Sequence, residues 1–165
     1  GRHNKIKGYD ILKKIYEKFL NQKNVYVLVA GKEYPLKGLD NSHWIEIGWT
    51  NDPHSMIAAS DVFMLPNRET YFDLIMLEVL SLGQIVVASN TGGNKHFATI
   101  NADGILLYDD VDEAVKILIQ LLNMTEEERE LKRLSNKKLY EDNFTCEIFV
   151  NEYIKLYEEI ESDIY

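Results

Sequence analysis

Cysteine is almost missing from this sequence. Cys146 is the only one in 165 residues, so no disulfide can form within the chain and the expected setting is reducing and cytoplasmic. No apolar run approaches the ~20 residues that a membrane-spanning helix requires. The opening stretch Gly1-Arg2-His3-Asn4-Lys5 has no apolar segment behind it, so it does not read as a signal peptide. Basic residues are in the minority: 18 Lys and Arg against 27 Asp and Glu leave a net charge of −9. That balance excludes a general basic face for nucleic acid and disfavours broad adhesion to anionic lipid. His43 and His54 have no partners at metal-ligand spacing and no His/Cys cluster exists, so no metal site is expected. The dinucleotide fingerprint Gly-x-Gly-x-x-Gly does not occur either, which argues against a nicotinamide cofactor. Repeats, low-complexity tracts and linkers are equally missing, and one domain over residues 1–165 is the expectation.

What is present is an alternation of short apolar runs with helical spacing. Residues 25–30, 44–49, 61–66, 85–88 and 104–108 read as strands. Several are apolar on both faces, as in a parallel sheet covered on both sides. Helices are expected over 9–20, 55–59, 73–82 and 147–160, the third stopped by Gly83. Asp110 with Glu113, and Thr125 with Glu128, have the spacing of capping boxes that open two more. The pattern predicts an α/β, Rossmann-like, doubly wound parallel sheet with helices on both faces. Ligands of such sheets sit beyond the carboxyl ends of the strands. Residues 31–32, 48–51, 67–73 and 89–95 are therefore the places to search. A strand is expected ahead of the first helix, with Gly1-Arg2 as its end.

The unusual residues do fall there. Arg2 and Lys7 flank the turn into the first helix, with Gly8 permitting close approach. Two cations at that place suit a diphosphate; a solvated basic loop is the plainer alternative. Gly92 and Gly93 follow a strand and open a short helix, leaving amide donors for an anion, or simply forming a tight turn. Glu78 is an acid within the apolar helix that holds Leu74, Ile75, Leu77, Val79 and Leu80. Buried there, it requires a partner or a ligand, and its two oxygens suit the vicinal hydroxyls of a ribose; an exposed stripe or a structural salt bridge is the alternative. Cys146 reads as a small packed residue, and Tyr153 and Tyr157 as docking surface.

Taken in order, Gly1-Arg2 with Lys7-Gly8, then Ala-Ser-Asp-Val-Phe-Met-Leu-Pro over 59–66, then Glu-x-Leu-Ser-Leu-Gly-Gln-Ile-Val-Val-Ala-Ser-Asn-Thr-Gly-Gly over 78–93, resemble the C-terminal domain of the group 1 glycosyltransferases (family GT4). The resemblance runs over nearly the whole chain. It implies half of a GT-B fold, in which two Rossmann-like domains face each other across a cleft and the C-terminal one holds a nucleotide-sugar donor, usually without a metal. The acceptor-binding N-terminal domain would then lie outside this chain, together with any peripheral contact with the inner membrane face. By resemblance, Arg2 and Lys7 pair with the diphosphate, and Glu78 is the second glutamate of a Glu-x7-Glu motif that holds the ribose. Backbone amides at Leu74 and Ile75 touch the phosphates, and Gly92 and Gly93 lie beside the donor sugar.

The departures are specific. Eight positions before Glu78 stands Thr70, with Glu69 one further back, so either residue fills the first motif position. The usual Gly-Phe-Gly is Tyr71-Phe72-Asp73; Asp73 is expected as a helix N-cap, yet its charge would repel a diphosphate. His96 stands where a further glutamate is common. The expected function is a retaining transfer of a hexose from a nucleoside diphosphate, UDP foremost, to a saccharide or lipid-linked acceptor in glycan synthesis. Arg2, Lys7 and Glu69 or Thr70 would carry the catalysis, with no activity in this half alone. A non-catalytic nucleotide- or partner-binding module of the same fold is the alternative. A phospho-acceptor receiver domain is disfavoured, because Asp61 is not at a strand end and no acidic pair precedes it.

Overall fold

Apolar runs become parallel strands, and the segments between most of them become helices, in a computed structural model that describes residues 1–19, 24–100 and 102–164. In chain order the elements are α1 (Tyr9–Phe19), β1 (Val27–Ala30), β2 (Trp44–Gly48), α2 (Pro53–Ala58), β3 (Phe63–Leu65), α3 (Leu74–Ser81), β4 (Val86–Ser89), a 3₁₀ helix (Gly92–Thr99), β5 (Ile105–Tyr108), α4 (Val111–Asn123), α5 (Glu126–Asn143) and α6 (Cys146–Ile164). Leu20, expected as the last residue of the first helix, lies outside the described residues.

Every strand pair is parallel, but the hydrogen bonding divides in two. β1 pairs with β2, and β4 lies between β3 and β5. In the larger sheet Val86 stands opposite both Phe63 and Ile105. Residues 1–3 run beside the end of β1: Lys32 N–H donates to the Gly1 carbonyl at 2.9 Å and His3 N–H to the Lys32 carbonyl at 3.0 Å.

β4 shows why helices cover both faces. Its four residues are all buried, and successive side chains leave a strand on opposite sides. Val86 and Ala88 pack with Met76, Val79 and Leu80 of α3 and Leu139 of α5. Val87, with Ile85 just ahead of the strand, packs with Ile15 of α1 and Ala114 and Leu121 of α4. α1 also ties the two sheets together, because its Tyr9 and Tyr16 join Val29 and Trp44 in a separate core under β1 and β2. The other face of that small sheet stays open, leaving Leu28, Ile45 and Ile47 exposed, since no helix forms in the connection between β1 and β2.

Helix ends follow their local chemistry, with two adjustments. Asp52 caps α2 through the Ser55 N–H at 3.1 Å with Pro53 in the first turn, so α2 starts ahead of the expected 55. Thr125 and Glu128 form the full capping box. Asp110 forms only half of one: it accepts from Glu113 N–H at 2.9 Å, while the Glu113 carboxylate reaches past it to Asp109 N–H at 2.7 Å. α6 is longer than expected and its described side chains are largely exposed, including a stripe of Phe149, Tyr153 and Tyr157. Cys146 opens that helix, so it is exposed instead of packed. Among the described residues no helix is long and apolar enough to cross a membrane.

Candidate functional site

The turn before α1 is built to approach β3 closely. Asn4 Oδ1 accepts from Lys7 N–H at 2.9 Å, and Gly8 N–H donates to the Lys5 carbonyl at 3.0 Å. Gly8 has φ of 65°, and a Cβ there would lie 1.6 Å from the Pro66 carbonyl oxygen. Only glycine fits both conditions. Arg68 fastens the same turn from above. Its N–H donates to the Ile6 carbonyl at 2.9 Å, and its guanidinium takes the Lys5 carbonyl at 2.9 Å and both Asp10 oxygens at 2.8 and 2.7 Å. The guanidinium hydrogen bond holds the Asp10 carboxyl below its ordinary range.

This arrangement carries Lys7 to Asp73. Lys7 Nζ donates to Asp73 Oδ1 at 3.1 Å, and Asn67 Nδ2 donates to Asp73 Oδ2. Asn67 and Asp73 are both buried, and the chain of contacts continues inward: Ser89 Oγ donates to the Asn67 carbonyl at 2.5 Å, and Asn94 Nδ2 to the Ser89 carbonyl at 3.1 Å. The expected N-cap role of Asp73 is thereby corrected. It holds the cap position of α3, but its side chain accepts nothing from the helix, because Lys7 and Asn67 draw the carboxylate away. Met76 N–H is met by the Asp73 carbonyl at 2.8 Å. The N–H groups of Leu74 and Ile75 find no acceptor among the described residues, so the amino end of α3 stays open to an anion.

Gly92 and Gly93 have a packing role that the sequence did not reveal. A Cβ on Gly92, where φ is 50°, would lie 1.7 Å from the Thr70 carbonyl oxygen, and one on Gly93 would lie 2.1 Å from that of Tyr71. The start of the 3₁₀ helix thus seats directly on the loop between β3 and α3. Thr91 Oγ1 secures it by donating to the Arg68 carbonyl at 3.1 Å. Glu69 is exposed and Thr70 half-buried on that loop, and Tyr71 projects fully into solvent.

Glu78 is not a buried acid, and of the readings open in the sequence the exposed one is found. It occupies the one open side of α3, its side chain 43 % exposed, with His54 Nε2 of α2 at 3.4 Å from its Oε2. Arg2 is exposed and has no ion pair among the described residues.

A cleft of about 790 Å³ lies at the ends of β1 and β2, lined by Gly31, Lys32, Glu46, Gly48 and the exposed Trp49. Buried aromatics fix its floor. His3 stacks on Tyr9 with centroids 4.2 Å apart, Trp44 Nε1 donates to Glu46 Oε1 at 2.6 Å, and the Tyr9 hydroxyl donates to the same oxygen. Burial holds the His3 imidazole below its ordinary pKa against the pull of Glu46. Burial and the bond to Glu46 push the Tyr9 phenol up. Among the described residues no group of three or more His, Cys, Asp or Glu side chains is placed to hold a metal.

Arg2, Lys7, Leu74, Ile75, Gly92 and Gly93 therefore lie on turns and helix starts beyond the strand ends, as expected for a doubly wound sheet, while Glu78 lies midway along α3. Asn67, Arg68 and His54 are additions from the structure.

The sequence model of the family described as "Glycosyl transferases group 1" matches residues 1–124. A UDP-Gal:alpha-D-GlcNAc-diphosphoundecaprenol alpha-1,3-galactosyltransferase of Escherichia coli is 34 % identical over 76 residues, which are 46 % of this chain and 20 % of the relative. The crystal structure of Alr3699/HepE of Anabaena in complex with UDP superposes with a TM-score of 0.78 at 16 % identity, covering 98 % of this chain and 47 % of that one. A glycosyltransferase of Rickettsia africae ESF-5 does so with a TM-score of 0.82 at 15 % identity, covering 97 % and 46 %. The chain thus spans about half the length of these solved structures, and its match covers a fifth of the galactosyltransferase.

Proposed function

The chain belongs to the group 1 glycosyl transferases, and on that premise we propose that it is the donor-binding half of a retaining transferase that takes a hexose from a nucleoside diphosphate, UDP foremost. The observation that carries this reading is the anion seat at α3. The open N–H groups of Leu74 and Ile75 stand at a helix start whose cap residue, Asp73, is turned aside to hold the ammonium of Lys7. A diphosphate placed there meets a helix dipole, two amides and a lysine, with Arg2 on the neighbouring turn.

The remaining parts of a nucleotide sugar have matching neighbours. The ribose hydroxyls go to the half-open carboxylate of Glu78. The base goes to the cleft at β1 and β2, where Trp49 offers an exposed aromatic face. The sugar goes toward Gly92, Gly93 and the loop bearing Glu69 and Thr70, and the acceptor side is supplied from outside this chain. Charge accumulates on the leaving diphosphate as the glycosidic bond breaks, and Arg2, Lys7 and the two amides stabilise it without a metal. UDP is favoured because the Escherichia coli relative is named for a UDP-sugar donor and the Anabaena protein was crystallised with UDP. The diphosphoundecaprenol in the first of those names makes a lipid-linked saccharide the acceptor class to try first.

Calorimetric titration with UDP, GDP, ADP and NAD in metal-free buffer tests the reading. Saturable UDP binding that Arg2→Ala, Lys7→Ala and Glu78→Ala each weaken is the expected result. Equal binding of all four nucleotides, or indifference to these substitutions, would overturn it.

A further inference from the structure

His54 was left without a partner by its sequence surroundings, and the structure supplies one. Its Nε2 lies 3.4 Å from Oε2 of Glu78, and no other cation comes within ion-pair distance of that carboxylate among the described residues. We propose that His54 is a positioning residue for Glu78, so that the carboxylate assigned to the ribose hydroxyls is set in place by an imidazole from the neighbouring helix; this rests on the donor-site reading above.

The two side chains reach each other from separate elements whose relative position is fixed near the end of α2. At its start the Asp52 carboxylate caps the helix by accepting from Ser55 N–H at 3.1 Å, and Glu78 is the acid within ion-pair distance of His54 among the described residues. Near its end, the buried Gln84 closes a clamp. Its Nε2 donates to the Ile57 carbonyl at 3.0 Å and to the Ser60 carbonyl, while its Oε1 accepts from Ile85 N–H at 3.0 Å. The Gln84 carbonyl in turn accepts from Asn136 Nδ2 at 2.7 Å. Gln84 connects α3 to β4, so α2 cannot drift from α3 without breaking buried hydrogen bonds.

That rigidity matters because Glu78 is open to solvent. A glutamate on an exposed helix face is free among several rotamers, and a ligand that needs one of them must bear the ordering cost. His54 stands at Oε2 and narrows that choice. Oε1 and the remaining lone pairs stay available to a vicinal diol, since an ionised carboxylate accepts at about four sites.

The test is a double-mutant cycle on UDP-glucose binding, followed by calorimetry in the wild-type chain, His54→Ala, His54→Gln, Glu78→Gln and the His54→Ala/Glu78→Gln double variant, with folding checked by circular dichroism. His54→Ala is expected to weaken binding about fivefold. His54→Gln, which keeps a donor at similar reach, restores most of the affinity. In the Glu78→Gln background His54→Ala has no further effect. An equal loss in both backgrounds, no loss in the wild-type background, or a His54→Gln variant as weak as His54→Ala would overturn the proposal. If the wild-type chain does not bind UDP-glucose, or Glu78→Gln binds it as well as wild type, the donor-site reading itself fails and the proposal falls with it.

Discussion

Lys7 and Asp73 form the pair on which the site turns: Nζ donates to Oδ1 at 3.1 Å, with the lysine side chain 48 % exposed and the aspartate 6 %. The burial is lopsided, so the two residues answer differently to substitution. Lys7 can leave toward a ligand, whereas the Asp73 carboxylate is almost shut off from water and depends on Lys7 and Asn67.

Asp73→Ala therefore strands both partners and is expected to cost about 2 kcal/mol of stability in urea unfolding. Asp73→Asn keeps hydrogen-bonding capacity and removes a negative charge beside the proposed diphosphate seat. It is expected to cost less and to tighten UDP binding about threefold by calorimetry. Weaker binding by Asp73→Asn would mean that the full charge is needed to hold Lys7.

Gly8 and Gly92 both combine a positive φ with a carbonyl oxygen where a Cβ would be, from Pro66 and Thr70 respectively. Alanine at either position is expected to cost at least about 2 kcal/mol, through strain and displacement of the β3–α3 loop. Gly48 serves as the control. It shares the positive φ, at 78°, but a Cβ there meets nothing within 4 Å, so Gly48→Ala should cost clearly less in the same unfolding measurement.

The Arg68–Asp10 pair is partly exposed, at 40 % and 22 %, and solvent screening limits its worth to about 1 kcal/mol. Its pH dependence has a fixed sign. The Asp10 carboxyl is held below its ordinary value of 3.8 by the Arg68 guanidinium. The stabilisation is thus fully present above that value and is lost as pH falls through the folded-state pKa. Arg68→Ala should be less stable than wild type at neutral pH, and the difference should shrink below about pH 4. A difference that persists at pH 2.5 would place the effect in the carbonyl contact to Lys5.

Tyr108 is buried and its hydroxyl has no hydrogen-bond partner. Tyr108→Phe should be neutral or stabilising, since it removes an unsatisfied polar group. Burial raises the phenol above its ordinary value of 10.0. Its contribution is therefore complete below that pH and lost as pH rises beyond it, through ionisation of the unfolded chain. The variant should accordingly lose less stability than wild type between pH 9 and 11 in thermal unfolding, and an unchanged alkaline slope would assign that loss to Tyr9 and Tyr16, which are shifted in the same direction.

The alternation of elements could be read from the sequence because β4 and its neighbours are apolar on both sides and Thr125 and Glu128 stand at capping distance. Local patterns mark Arg2 and Lys7 as candidates, while the burial that marks Glu78 in the sequence is not found. What could not be read depends on partners distant in sequence. Arg68 finds Asp10 58 residues away, and no spacing rule marks such a pair. Asp73 looks like an ordinary cap until Lys7, 66 residues earlier, draws its side chain aside. Gly92 and Gly93 resemble a bare anion turn until the loop they rest on is in place. The open face of β1 and β2 arises because no helix forms between those strands, and alternation alone does not report which face is covered.

On the proposed function, a nucleoside diphosphate sits on the open amino end of α3, between Lys7 and the Gly92–Gly93 turn. The most direct measurement is an amide NMR titration of the isotope-labelled chain with UDP in metal-free buffer. Saturable shifts are expected at Lys7, Leu74, Ile75, Gly92 and Gly93, with the Leu74 and Ile75 signals moving furthest because their N–H groups gain acceptors. Shifts confined to other surfaces, or Leu74 and Ile75 unmoved at saturation, would contradict it.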